Sequence, residues 1–439
     1  MNKFFVSVGL VAAGTAGLHA AYAPNLTPME STKIWSVDGT LRGFYDNNYT
    51  TASTAKGSWG FEVSPSVQLN VPLQQTEFGL SYTYGMYYYF ERESLHQNPI
   101  DQTHEVDLWV DHAFTERWQG TVQDTFVVGQ EPGLIDPNTS VQNRVEGNNI
   151  SNQGSLTLNT VWTRLFSTSV NYQNSFYDYQ NSGTTQGNAS FGPTPPFGGG
   201  QDASLAGLLN RIGQNLSLDL QWHVAPETVV LLGGMVGLVN YTGDEPIAYN
   251  ATTGDWYNSD TRDGISYFAY VGLVRSLLPN LSFSGKVGAQ YTDSYNDPAH
   301  TTSLSPYGDL SLTWTYLPGS YAQVGFTESQ NATDQAGYDG SNGQIAIYTQ
   351  SSTAYASINH KLTSKLTGSL IGRWQNSIYH QGLYNNDSDN YYTLGVNFSY
   401  YFTPHFSADA GYNLDYLSSQ IPGNDYTRNR YYWGVSAAF

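Results

Sequence analysis

Tight and long connections alternate along this chain from residue 34 to its end, a pattern that few folds accommodate. Tight turns fall at Val71-Pro72-Leu73-Gln74, Thr115-Glu116-Arg117, Thr163-Arg164-Leu165, Ala225-Pro226-Glu227, Leu278-Pro279-Asn280, Leu317-Pro318-Gly319, Thr363-Ser364-Lys365 and Thr403-Pro404-His405. Between successive turns lie longer stretches rich in Asn, Asp, Gly, Ser and Thr, such as residues 130–152, 179–213, 242–264 and 330–351. In an antiparallel meander all the turns then gather at one end and all the loops at the other. Eight turns join sixteen strands, and a segment at 34–45 plus the C-terminal segment raise the count to eighteen, with sixteen as the alternative. An even number with both termini at the turn end lets the first strand pair with the last and close the sheet.

The segments between connections alternate with period two, as strands with one apolar face do. Trp59, Phe61, Val63, Val67, Leu69 and Val71 share one parity, and Ser58, Gly60, Glu62, Ser64, Gln68 and Asn70 the other. Leu216, Leu218, Leu220, Trp222 and Val224 repeat the pattern, as do Leu281, Phe283, Val287, Ala289 and Tyr291. Tyr392 to Phe402 and Phe406 to Tyr416 continue it. Each segment is about the 9–11 residues that a tilted strand needs to cross a bilayer. Residues 228–241 and 265–277 are apolar on both parities, so their register is less determined.

Composition agrees with a wall that has one wet face. Charged residues are 12% and apolar ones 39%, with 35 Tyr and 44 Gly, and no run reaches the roughly 18 apolar residues of a spanning helix. The absence of cysteine excludes disulfides, thiolate metal sites and cysteine nucleophiles. The fold class is therefore all-β, a transmembrane antiparallel up-and-down β-barrel. A soluble β-sandwich also alternates, but it does not need a long connection after every short one.

The chain ends inside a strand: Tyr431, Trp433, Val435, Ala437 and Phe439 form one face. A terminus frays unless it is paired, so this strand should meet the segment at 34–45. At the other end, Lys3, the apolar residues 4–17 and the small residues after them read as a secretory signal, residues 1–20, cleaved after Ala20. Residues 21–33 would be a short N-terminal segment on the turn side, and 34–439 the barrel. Seventeen basic against 36 acidic residues give a net charge of −19, which excludes nucleic acid as a partner.

The whole mature chain resembles the Gram-negative outer-membrane β-barrels. Its N-terminal third is similar to the putative β-barrel porin family in the stretch from Trp35 to Tyr49, at Gln130-Glu131-Pro132 and from Asn143-Arg144 to Asn152. The resemblance implies insertion in outer-membrane lipid, turns in the periplasm, loops outside and a pore. It also implies that Phe439, with the apolar residues at every second position before it, is read by the barrel-assembly machinery. It supplies no catalytic positions.

If the apolar parity faces lipid, the other parity lines the lumen. Its main charges are Arg42, Glu62, Glu105, Asp107, Asp111, Asp219, Lys286, Arg373, Asp409, Asp415, Arg428 and Arg430, with Asp38, Glu77, Glu91, Asp309 and Lys361 beside them. Acids outnumber bases, which predicts weak cation preference, while Arg42, Arg428 and Arg430 should make the closing seam the most basic part of the wall. Polar groups that merely face water or pair across strands are the plainer account of the same residues. In the longest loop, 179–213, Leu205, Leu208, Leu209 and Ile212 are spaced for one helix face between Asp202 and Gly213. That helix would either enter the lumen and constrict it or cap the outside.

No cofactor or metal is expected. The histidines show no metal spacing, Asp111 and His112 point to opposite faces, and Asp255, Asp260 and Asp263 do not match a calcium loop. The sequence thus predicts a non-enzymatic channel for passive diffusion of small hydrophilic solutes. A structural or surface-interaction barrel with an occluded lumen is the alternative, and whether the barrel forms a homo-oligomer stays open.

Overall fold

The computed structural model describes residues 34–129, 149–180, 205–250, 255–339 and 343–439. The stretch expected to be a secretory signal, residues 1–20, and the segment 21–33 lie outside them. In chain order the elements are β1 (Trp35–Asp46), β2 (Ser58–Pro72), β3 (Thr76–Tyr89), α1 (Phe90–Ser94), β4 (Ile100–Ala113), β5 (Trp118–Gly129), β6 (Asn149–Val161) and β7 (Phe166–Tyr179). Then come α2 (Leu205–Leu209), β8 (Arg211–Ala225), β9 (Thr228–Tyr241), β10 (Pro246–Asn250), β11 (Asp255–Asn258), β12 (Gly264–Leu278) and β13 (Leu281–Asp293). The chain finishes with β14 (Thr302–Leu317), β15 (Ser320–Asn331), β16 (Tyr348–Lys361), β17 (Leu366–His380), β18 (Ser388–Tyr401), β19 (Phe406–Ser419) and β20 (Tyr426–Ala438).

Eighteen of the strands form one antiparallel sheet, and β10 with β11 form a separate hairpin within the connection from β9 to β12. The sheet closes because β1 pairs with β2 on one side and with β20 on the other. At the seam Asp38 stands opposite Ala438 and Asp46 opposite Arg430, and the ladder runs to the last residue through Phe439 N–H to the Val37 carbonyl at 2.9 Å and Val37 N–H to the Phe439 carbonyl at 3.1 Å. Closure matters because each unpaired backbone group in hydrocarbon costs several kcal/mol. The strand count is eighteen rather than sixteen.

Barrel strands have 12 residues in β1 and 16 in β14. At about 3.3 Å per residue and a tilt near 45°, such strands match the ~30 Å hydrocarbon layer. Leu216, Leu218 and Trp222 of β8 are exposed on the outside, while Asn215, Ser217, Asp219 and Gln221 border the interior. Aromatic pairs mark the turn end of the outer face: Trp118 with Trp162, Phe166 with Trp222, and Phe439 stacked on His405. Tyr45 with Trp59 and Tyr392 with Tyr416 stand nearer the loop end. Two such belts are what amphipathic rings form at the two membrane interfaces.

All eight predicted tight turns connect consecutive barrel strands. Four share one chemistry: the hydroxyls of Thr115, Thr163, Thr363 and Thr403 accept from the backbone N–H groups two and three residues on, at 3.0–3.2 Å. A threonine in that place mimics a backbone turn and fixes the hairpin. Gly319, at φ +77°, supplies the positive φ that a two-residue Pro-Gly turn requires.

Candidate functional site

The barrel encloses a cavity of about 1800 Å³. Its border begins at Thr163, Arg164, Leu165, Ala225 and Pro226 at the turn end and reaches Tyr177, Arg211, Asn331 and Ala332 at the loop end. Polar residues of the inward parity make most of the wall, because the opposite parity is committed to lipid.

Eight of the twelve charges singled out from the sequence border this cavity: Arg42, Glu62, Glu105, Asp107, Asp111, Asp219, Lys286 and Arg430. The other four are buried within the wall. Arg428 is 1% exposed against Asp46, Asp415 accepts from the Tyr391 hydroxyl at 3.3 Å, Asp409 holds Arg42, and Arg373 donates to Gln375 at 2.5 Å.

The charges fall into three groups. At the seam Arg42 Nε lies 2.7 Å from Asp409 and its Nη1 lies 3.4 Å from Glu62. Both Arg428 and Arg430 reach Asp46, with Arg428 Nε at 2.7 Å and Arg430 Nη2 at 3.2 Å. The three arginines are present as predicted, but each is matched, so the seam is not a net basic stripe. Asp46 was missed, although it shares the inward parity of Asp38 and Arg42 and that parity was enough to find it.

The second group is acidic and has no described ion pair. Asp107 accepts from Ser81 at 3.0 Å and Thr125 at 2.8 Å, and Asp111 accepts from Thr121 at 2.6 Å. Glu77 and Glu105 border the cavity beside them. His112 turns the other way and bonds Thr76 at 2.7 Å, so Asp111 and His112 form no dyad.

The third group spans β8, β12 and β13. Lys286 Nζ lies 2.9 Å from Asp219, whose other oxygen accepts from the Tyr270 hydroxyl at 2.7 Å. Tyr270 crosses β9 to get there, and it passes over Gly233, where a Cβ would collide with both the ring and Asp219.

The helix expected in the longest loop is shorter than its spacing suggested. It spans Leu205–Leu209 and is closed by Arg211 donating to the Leu209 carbonyl at 2.9 Å. Ile212 and Gly213 already belong to β8, and Asp202 lies outside the described residues. Leu208 and Leu209 do not border the cavity. They are buried with Tyr179, Ile247, Ala248, Ala336, Ile345 and Ile347. These residues come from the β7–β8, β9–β12 and β15–β16 connections, the first and last of which are six strands apart around the barrel. Loops so placed, spread over about a third of the rim, meet only by leaning in over the mouth, so they roof that part of the lumen. Tyr257 donates to the Gly343 carbonyl at 2.6 Å and Arg262 to the Thr333 carbonyl at 2.7 Å, which ties two of these connections together.

One buried acid in this roof is expected to make its packing depend on pH. Burial, with nearby Asp389 adding to it, pushes the Asp334 carboxyl up to about 7 against the opposing pull of a backbone hydrogen bond, Arg262 and Gln335. A released loop would return Asp334 to the ordinary carboxylate range, so the packed roof binds the proton more tightly. Protonation therefore stabilises the packed roof, and that stability is lost as pH rises through about 7. Single-channel conductance should rise from pH 5 to pH 8, and Asp334→Asn should hold the low value throughout. A flat wild-type profile, or an Asp334→Asn profile that still rises, would refute this.

Among the described residues no group of three or more His, Cys, Asp or Glu gathers in a way that could hold a metal. Residues 248–439 match the model of the family described as "Putative beta-barrel porin 2". The match lies at the opposite end of the chain from the stretch that carries the resemblance in the sequence. Among solved structures, the chain is similar to the outer membrane protein opdK from Pseudomonas aeruginosa (10% identity, 92% of this chain and 99% of that one, TM-score 0.44). It is also similar to a BenF-like porin from Pseudomonas fluorescens Pf-5 (9%, 93% and 100%, 0.45) and to OccAB4 of Acinetobacter baumannii (11%, 94% and 100%, 0.42). No curated protein sequence matches the chain.

Proposed function

We propose that this Gram-negative outer-membrane β-barrel of the porin type passes small hydrophilic solutes by passive diffusion, with a weak preference for cations. The observation that carries the reading is the cavity, most of whose lining residues are polar, running from the turns toward the loop end. Eighteen strands enclose room for a water-filled path. The cation preference rests on Glu77, Glu105, Asp107 and Asp111, which no described base neutralises, whereas the arginines of the seam are matched by acids. Charges along a narrow aqueous path set ion preference.

In planar bilayers the folded protein should give stable conductance steps and a cation:anion permeability ratio of a few. Glu105→Gln, Asp107→Asn and Asp111→Asn together should bring that ratio to about one. Absence of conductance from correctly folded barrels would overturn the pore and favour the second reading, an occluded surface barrel whose roof is its working part. The roof gives that second reading its support.

Catalysis is not part of the assignment. Ser167 Oγ lies 2.9 Å from His223 Nε2 on the lumen wall, but among the described residues no carboxylate bonds the other ring nitrogen to orient the base. Phe439 and the outward Tyr431, Trp433, Val435 and Ala437 are proposed as the signal read by the assembly machinery. Residues 1–20 are proposed as the secretory signal that delivers the chain to it.

A further inference from the structure

The lumen wall is not uniformly polar. Across β9 and β12 the inward residues face one another as Met235 with Phe268, Gly233 with Tyr270, Leu231 with Gly272, and Val229 with Val274. Val229, Leu231, Met235, Phe268, Tyr270 and Val274 all border the cavity. An apolar row of this length runs against the rule for aqueous barrels, whose inner parity is polar. It is also why these two segments read as apolar on both faces.

The row is a trough rather than a ridge. Tyr270 lies over Gly233 and Leu231 over Gly272, and a Cβ at either glycine would run into the side chain above it. Tyr270 and Leu231, laid on bare backbone, are each only 4% exposed, so the apolar surface open to the lumen is made by Val229, Met235, Phe268 and Val274 above this packed floor, with Tyr307 beside them, its ring 5.3 Å from that of Phe268. Water against such a surface is readily displaced by the apolar part of a solute.

Charge decides which apolar solute fits. Glu77, Glu105, Asp107 and Asp111 on β3 and β4 face the same lumen, with β4 about a third of the way round the barrel from β12. Within the trough itself the wall already holds one alkylammonium: Lys286 Nζ sits 4.9 Å from the centre of the Tyr270 ring and 2.9 Å from Asp219. A cation with an apolar body can use a ring face and a carboxylate in the same way.

We propose that the lumen favours small organic cations that carry an apolar ring or chain. The body lies on the β9–β12 trough, while the carboxylates of β3 and β4, across the same lumen, favour a solute of positive charge over one of negative charge. This rests on the pore reading and narrows it.

The test records potassium current through the folded full-length protein in planar bilayers. Three probes are added in turn: phenethylammonium, ethanolammonium, which has the charge but no ring, and phenylacetate, which has the ring but the opposite charge. Phenethylammonium should interrupt the current at about tenfold lower concentration than either of the others, the scale of partly burying one ring. Phe268→Ser and, independently, Met235→Ser should raise the phenethylammonium concentration required. Folding of each variant is checked by its heat-modifiable mobility, and Val274→Ser replaces one that fails to fold. Equal potency of the three probes, or variants as sensitive as the wild type, overturns the inference and leaves the pore standing. A folded barrel that passes no potassium overturns both.

Discussion

Asp46→Ala is expected to destabilise the barrel by about 3–5 kcal/mol, the scale of removing one partner from a buried ion pair. Asp46 is fully buried, and Arg428 beside it is 1% exposed. Its carboxylate accepts from both Arg428 and Arg430. Arg430 also donates to the Tyr89 hydroxyl at 3.0 Å and lies over the Phe44 ring at 5.2 Å. Without Asp46 two guanidinium groups face each other in a wall from which water is largely excluded, and the site is the seam that closes the sheet. Refolding yield and the urea midpoint in detergent should both fall. Asp46→Ala combined with Arg428→Met should recover part of the loss, because the second change removes one of the two positive charges that Asp46 balances. Unchanged stability in the single variant would show that other groups carry the seam. Arg42 offers a comparison, since Asp409 and Glu62 share its charge and removing either alone leaves it one partner.

The scaffold was legible because lipid imposes a strict code. Parity and turn position fix strand count, direction and closure, and the pairing of the terminal strand with β1 follows from them. The inward parity was legible too, but of the twelve charges taken from it as lining the lumen eight border the cavity, while Arg373, Asp409, Asp415 and Arg428 are buried within the wall. Which charges remain unpaired was not legible. Neutralisation of Arg42 by Asp409 joins residues 367 positions apart, and it depends on register across the seam rather than on any local pattern. The loops were least legible. Long polar connections carry no period, so neither the β10–β11 hairpin nor the buried Arg92 of α1, which pairs with Asp101 at 2.5 Å, left a trace in the spacing. The two strands whose register looked weak are those with an apolar inner face, so the ambiguity reported a property of the wall.

Ile345→Asp should open the roof without unfolding the barrel. Ile345 is 1% exposed, and Ile247, from a different connection, is fully buried in the same cluster. A carboxylate placed there has no described basic group in the apolar cluster to pair with, and burying it costs several kcal/mol. That penalty exceeds what a few loop contacts supply, whereas the wall is held by eighteen strand pairings that do not involve this residue. The loops should therefore separate while the sheet stays closed. The expected result is higher single-channel conductance with unchanged heat-modifiable mobility, and faster proteolysis within residues 332–347 of protein embedded in vesicles. Ile247→Asp should act in the same direction, and the two together should add little once the roof has parted. Unchanged conductance in a variant whose loops have become protease-sensitive would show that the narrowest part of the path lies deeper, at the level of Arg42, Asp219 and Lys286. Loss of the folded barrel would show that the roof is part of the scaffold. The roof and the wall are thus separable by one substitution, since the loops hold together by a small apolar cluster and the barrel by a closed hydrogen-bond ladder.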